Sequence, residues 1–426
     1  MKILIRKVLV VDPASPYNGN TIDLFVEQDK ITGVGANLKL RADREMDIPG
    51  LHVSPGWIDV GVQTMDPGFE QRETLSSVAR AAAIGGFTGI ATFPNTLPVT
   101  QGKADIGYLL NQTRNSLVDF LPIGALSEGC TGKQITEMLD MHAAGARAFS
   151  DGQHSVQDSG LLLRALQYVL TFDGLIINRP HDNSLSQEGQ MHEGVVSTSL
   201  GLRGIPSLAE DMMTQRDINL AGYAGARLHL FGLSTAGSVE LVRQAKANGL
   251  RISCSVPALN LAFDDRALNA FDPQFKVLPP LRSKSDQEAL QAGLKAGTID
   301  LIVSNHTPLE TEAKKLEFPY AEFGAIGLET TYGLVNRTLK NKLGTEALIQ
   351  IMAINPRTLL GMEQVVVREG GQANLTLFLP DLPWQVSTDT LFSKSTNSPL
   401  LGETLLGKAV AVINHGQVFE APTPQH

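Results

Sequence analysis

The chain has 426 residues, 42% of them apolar and 19% charged, with a formal net charge of −9. That composition excludes a disordered chain and fits a globular protein with a sizeable core. The acidic balance argues against a nucleic-acid or anionic-membrane surface and gives no bulk steering for an anionic substrate. Two cysteines, Cys130 and Cys254, are too few for a disulfide framework. The N-terminal MKILIRKVLVVDP has too short an apolar run for a signal peptide, and no run reaches membrane-spanning length, so a cytoplasmic protein is expected.

Residues 1–55 read as β structure. Ile3–Val11, Thr21–Glu27 and Lys30–Val34 are short and rich in Val and Ile, and turn signals separate them. From Gly56 the character changes, and helix-length segments alternate with short apolar strands. Strands are predicted within Trp57–Val62 and at Gly89–Phe93, Asp119–Ile123, Ala146–Phe149, Leu175–Ile177, Arg227–Leu230, Arg251–Val256 and Leu301–Ser304. Helices are predicted at Glu73–Ile84, closed by Gly85-Gly86, and at Lys103–Ser116, Thr131–Ala144, Leu161–Phe172, Pro206–Gly222, Ala236–Asn248 and Asp286–Ala296. Eight strands alternating with helices predict parallel strands with crossover helices, and this count in this length predicts a (β/α)₈ barrel. Ala373–Phe378 and Ala409–Asn414 return to β character, so both chain ends are expected to join one small β domain. The expected division is 1–55 with 365–426 as a composite β-sandwich domain, and 56–364 as the barrel. The tail Ala421–His426 is expected to fray.

The stretch Ser54–Gly68, SPGWIDVGVQTMDPG, places a buried strand between two turns. In a barrel enzyme the C-terminal end of such a strand carries catalytic groups. It resembles the frame Pro-Gly-φ-Ile-Asp-x-His-x-His-x-Arg-x-Pro-Gly that opens the metal site of the dihydroorotase family of cyclic amidohydrolases. Further segments resemble that family in the same order: GGFTGIATFPNT (Gly85–Thr96), AFSDG (Ala148–Gly152), DNSL with MHEG (Asp182–Gly194), STAGSVELVRQAK (Ser234–Lys246), DPQFKVLPPLRSKSD (Asp272–Asp286), FGAIGLETTYGL (Phe323–Leu334), INPRTLLGM (Ile354–Met362) and LFSKSTNSPLLGETLLGKAV (Leu391–Val410). The resemblance implies a (β/α)₈ barrel flanked by a β domain from both termini, with zinc in active members.

Hydrolysis of a cyclic amide needs an ionised water, and a catalytic zinc lowers water's pKa from about 15.7 to about 7. Such a site needs imidazole and carboxylate ligands. By resemblance, the positions that would supply them are changed here. Gly61 and Gln63 stand where the family has the two first-strand histidines, and Met65 where it has the arginine that grips the substrate carboxylate. Arg179 and Gly232 stand at the fifth- and sixth-strand histidines. Asn305 stands at the aspartate that is ligand and general base, and it cannot take that proton. Leu309 and Leu278 replace a substrate histidine and an asparagine, while Asn95, Asp151 and His306 persist in their segments. A guanidinium at position 179 opposes a metal cation. Neither a bound metal nor another cofactor is therefore expected.

Plainer readings stand beside these. Asp151 is equally a loop acid capping a helix, and Asn95 equally a turn residue. His181 would replace the lost fifth-strand histidine only if the strand slipped by two residues, which keeps its facing. His306 reads better as a packed histidine than as a ligand. His154 and His192 read as exposed loop residues, Asp59 as a tie for loop backbone, Glu310 to Lys315 as a solvated helix start, and Met212-Met213 as helix packing. Three functions remain open. One is a non-catalytic, dimeric dihydroorotase-like partner of aspartate carbamoyltransferase, the enzyme with which such proteins assemble. Another is an active dihydroorotase or other cyclic amidohydrolase with an atypical site. The last is an anion sensor that uses Arg179.

Overall fold

The structure, a computed structural model, describes residues 1–422; positions 423–426, and with them most of the tail expected to fray, lie outside the described residues. Eight parallel strands form the central sheet in chain order: Trp57–Val62, Phe87–Thr92, Asp119–Gly124, Ala148–Phe149, Leu175–Asn178, Arg227–Leu230, Ile252–Pro257 and Leu301–Val303. Their side chains are almost all buried on both faces, as parallel strands covered by helices require. The first and eighth strands meet at a seam that side chains close. The Ser304 amide donates to Asp59 Oδ1 at 3.0 Å, and the Ser304 hydroxyl donates to Asp59 Oδ2. The result is a nearly closed (β/α)₈ barrel, as the alternation predicts.

Helix boundaries follow local chemistry. Helix Leu75–Gly85 starts at a Thr74 cap reciprocated by Ser77 and ends at Gly86, whose φ of 91° suits a residue without Cβ. The helix predicted over Thr131–Ala144 is shorter, running only from Met138 to Ala143. Gly132 at φ 68° breaks the start, and Thr136 donates its hydroxyl to the Ala125 carbonyl, which ties this stretch to the third strand's exit. Cys130 and Cys254 are free and buried.

Strands from both chain ends form a second sheet, in the order Gln417–Glu420, Thr404–Asn414, Leu375–Gln385, His52–Pro55, Lys2–Val10, Thr21–Glu27, Lys30–Gly35, with Arg44–Met46 also on Lys2–Val10. Buried polar groups bolt this sheet to the barrel. Arg357, 1% exposed, donates to the Gly56 carbonyl at 2.5 Å and to Asn374 Oδ1 at 3.0 Å. Asn374 in turn donates to Asn414, which reaches Asp119 on the third barrel strand. Beside this bolt Trp57 is fully buried against the rings of Phe87, Tyr332 and Phe378. No helix among the described residues is long and apolar enough to cross a membrane.

Candidate functional site

The C-terminal ends of the barrel strands converge on the positions singled out in the sequence. At the first strand, Gly61 sits in a bulge: the ladder to the second strand slips between Val60 and Val62, and Gly61 has φ 87°. A side chain has no room there. A Cβ on Gly61 would stand 2.4 Å from Phe231 and 2.9 Å from Phe93. Those two rings pack edge to face, with centroids 4.9 Å apart. Phe231 immediately precedes Gly232, which has φ 74°. Two of the positions where the resemblance places histidines are thus left-handed glycines, and an aromatic side chain is wedged against one of them.

Arg179 leaves the fifth strand and is 3% exposed. Its guanidinium lies 5.4 Å from the centre of the Phe231 ring. It donates to the Leu278 carbonyl at 2.8 Å and to Asn305 Oδ1 at 3.3 Å, while its Nε has no partner among the described residues. No carboxylate lies within ion-pair distance of it among the described residues. Burial lowers its pKa to about 10, which still leaves it cationic at neutral pH. Asn305 adopts φ 51° and also donates to the Leu278 carbonyl, at 3.1 Å, so Arg179 and Asn305 share that acceptor as well as bonding each other.

Asp151 is buried, and both its oxygens are spoken for by Ser127: the amide donates at 2.8 Å and the hydroxyl at 2.5 Å. Burial pushes its carboxyl above the usual range. Asn95 spans the neighbouring turn, donating to the Asp151 carbonyl at 3.1 Å and accepting from the Gln153 amide at 2.9 Å. Above them lies a cavity of about 380 Å³ whose wall includes Gln63, Met65, Asn95, His154, Leu278 and Leu309. His181 is half-buried, and burial together with the charges of Arg179 and Arg282 lowers its pKa to about 4.

His306 is fully buried. Its Nδ1 accepts from the Gly327 amide at 3.2 Å and its Nε2 lies 3.7 Å from Glu73 Oε2. Glu73 also accepts from the Lys394 amide at 3.0 Å. Glu329 accepts from the Phe392 and Ser393 amides, and burial raises its pKa to about 7. Residues 392–394, within the segment 391–398, are therefore strapped down by two buried acids. Neither acid was singled out in the sequence, where ETTYGL and LFSKS give no sign that they meet.

Two plain readings are corrected. His192 is 8% exposed, not an exposed loop residue, because Arg282 Nη1 lies 3.3 Å from its Nδ1 and holds the Ile205 carbonyl beside it. Lys314 is 3% exposed, not part of a solvated helix start. Its ammonium donates to the carbonyls of Pro273, Lys276 and Glu322, which join the loops after the seventh and eighth strands. Of the methionine pair, Met213 is buried and Met212 is 52% exposed.

A zinc centre needs three or more ligating side chains around one point. No group of three or more His, Cys, Asp or Glu suited to a metal occurs among the described residues. At the positions where the resemblance places ligands stand two glycines, two side-chain amides and a guanidinium, and the one acid there, Asp151, is turned to Ser127. The residues present do not fit the metal.

A barrel of this form with a β domain built from both chain ends is the architecture of the amidohydrolases. An L-hydantoinase (dihydropyrimidinase) from Arthrobacter aurescens superposes with a TM-score of 0.87 at 25% identity, covering 99% of this chain and 96% of that one. A dihydropyrimidinase from Brevibacillus agri gives a TM-score of 0.83 at 20% identity, covering 98% and 95%, and shows the fold alone. Residues 50–238 match the family model described as Dihydro-orotase-like. A dihydroorotase from Pelotomaculum thermopropionicum is 41% identical over 98% of both chains, and one from Syntrophus aciditrophicus is 38% identical over 98% of this chain and 99% of its own. The chain belongs to the dihydroorotase family.

Proposed function

We propose that this chain is a dihydroorotase-family protein of pyrimidine biosynthesis that does not carry out metal-dependent hydrolysis. We propose further that it serves, as a homo-oligomer, as a structural or regulatory partner of aspartate carbamoyltransferase. The observation that carries this reading is Arg179: a buried guanidinium held by Leu278 and Asn305, where the resemblance puts a metal ligand. Placing a divalent cation beside it would be electrostatically costly, and Phe231 against Gly61 takes up further room. The residues at the positions where the resemblance places ligands are unsuited to a metal, while Asp59 and Ser304 at the seam and Arg357, Asn374 and Asn414 at the bolt are joined by hydrogen bonds. A barrel kept for its shape would show this pattern. Size-exclusion chromatography with light scattering, using this protein and the carbamoyltransferase of the same organism at micromolar concentration, tests the partner role. A co-eluting complex supports it. Separate elution, with no change in the carbamoyltransferase's activity or stability, refutes it.

A second reading is an active dihydroorotase or other cyclic amidohydrolase with an atypical site. The relatives favour it: proteins 38% and 41% identical over nearly the whole chain carry the name dihydroorotase. Similarity of that kind supports activity more strongly than it supports a partner role, whereas the ligand positions speak against activity. Hydrolysis of dihydroorotate by the purified protein separates the two.

A further inference from the structure

A second cavity, of about 350 Å³, lies between the exits of the first two barrel strands and the helix Lys103–Gln112. It is separate from the pocket around Asn95 and Leu278, although one chain segment borders both. Along residues 63–66 the side chains alternate: Gln63 and Met65 face the barrel pocket, and Thr64 and Asp66 face this one. Its volume lies within the usual range for small-molecule sites.

The apolar part of the wall includes Phe93, Pro98 and Leu109. Its polar groups are two carboxylates and the hydroxyls of Thr64, Thr92, Thr96 and Thr100, so its charged groups are all of one sign. Asp66 accepts from the Leu75 amide at 3.0 Å through Oδ2. Asp105 accepts from the Gln101 and Gly102 amides at 3.1 and 2.9 Å, also through Oδ2. The other oxygen of each carboxylate has no protein partner among the described residues. The hydroxyl of Thr92, a residue only 2% exposed, likewise faces the cavity without one. No lysine, arginine or histidine is part of the wall. Tyr108, 46% exposed, stands at the edge, where an aromatic face attracts a cation.

We propose that this cavity is a binding site for a protonated amine carried on an apolar ring. The ring would displace water from the Pro98 and Leu109 surfaces. The ammonium would take the free carboxylate oxygens and donate to the Thr92 hydroxyl. An anion is disfavoured, since it would meet two carboxylates with no compensating cation. The site does not depend on whether the barrel pocket hydrolyses anything.

Calorimetric titration of the full chain tests this, with tryptamine as the probe and indole-3-propionate as the comparator of opposite charge. Tryptamine should bind saturably at one site, and indole-3-propionate at least about tenfold more weakly. Ala104 is exposed and lies on the cavity wall, so Ala104→Trp should plug the mouth. It should weaken tryptamine at least about tenfold with an unchanged melting temperature. Asp105→Asn preserves the helix cap but removes charge, so it should weaken tryptamine several-fold and not weaken the comparator, whose repulsion it reduces, which gives a second variant if the plug disturbs folding. Equal affinity for both probes, or tryptamine binding that neither substitution alters, would overturn the proposal.

Discussion

The two halves of the first barrel strand obey different rules. From Gly56 to Asp59 every group is committed to holding the molecule together. The Gly56 carbonyl takes Arg357, Trp57 fills the space under Tyr332 and Phe378, and Asp59 closes the seam through Ser304. From Gly61 to Met65 the strand's last residues and the loop that follows present a bulged glycine against Phe231, an amide and a thioether. The first half specifies a barrel, and its interactions do not depend on what the second half presents. A fold can therefore persist while its site changes, because stability and chemistry sit on opposite ends of one strand.

This contrast can be broken by substitution. Trp57→Ala should be the most damaging change, costing about 3–5 kcal/mol of unfolding free energy in urea titrations through lost burial and a cavity. A cost below about 1 kcal/mol would mean that the Trp57 end is not structural after all. Gly61→His, which restores a donor to the other end, should cost about 2–4 kcal/mol, since the φ of 87° and the Phe231 edge both oppose a side chain. Adding Phe231→Ala to that variant should recover part of the loss, because the crowding is removed while the backbone strain remains. Gln63→His, at a normal backbone conformation, should stay within about 1 kcal/mol of the parent.

The strap sharpens the contrast through pH. Burial raises the Glu329 pKa from 4.5 to about 7. Between those values the folded state holds a proton that the unfolded chain releases, so this group makes stability fall as pH rises through the window. The penalty is absent below about pH 4, is fully present only above about pH 8, and amounts to about 3 kcal/mol. Glu329→Gln should therefore flatten the decline in stability between pH 5 and about 7.5, read as melting temperature against pH. A decline of unchanged slope would show that the strap acid is charged throughout.

The barrel was legible because its eight strands are short apolar runs between helix-length segments, and the local pattern fixes both. Trp57–Val62 and Arg227–Leu230 have the bounds read from the sequence, and the other barrel strands lie within a residue or two of theirs. His52–Pro55 and Gln417–Glu420 were missed, since neither is an apolar run set between helix-length segments, as the barrel strands are, and both exist through their neighbours in the second sheet. At the site, the substitutions at Gly61, Gly232 and Arg179 could be read by resemblance, but what fills the space could not. Phe231 looks like an ordinary strand residue, and only the fold brings it to Gly61. The neighbouring Phe231-Gly232 pair was the available signal, since a large ring beside a left-handed glycine marks a place where volume has been exchanged. Glu73, Glu329 and the 391–398 strap come from segments more than sixty residues apart, and no local pattern pairs them.

The most direct measurement is zinc content alongside dihydroorotate hydrolysis, on full-length protein produced in zinc-supplemented medium. Less than ~0.1 equivalent of zinc per chain and no hydrolysis above the uncatalysed rate are expected, because Arg179 stands where the resemblance places a ligand and no group of three or more His, Cys, Asp or Glu suited to a metal occurs among the described residues. One or two equivalents of zinc, with hydrolysis that a chelator abolishes and added zinc restores, would contradict it.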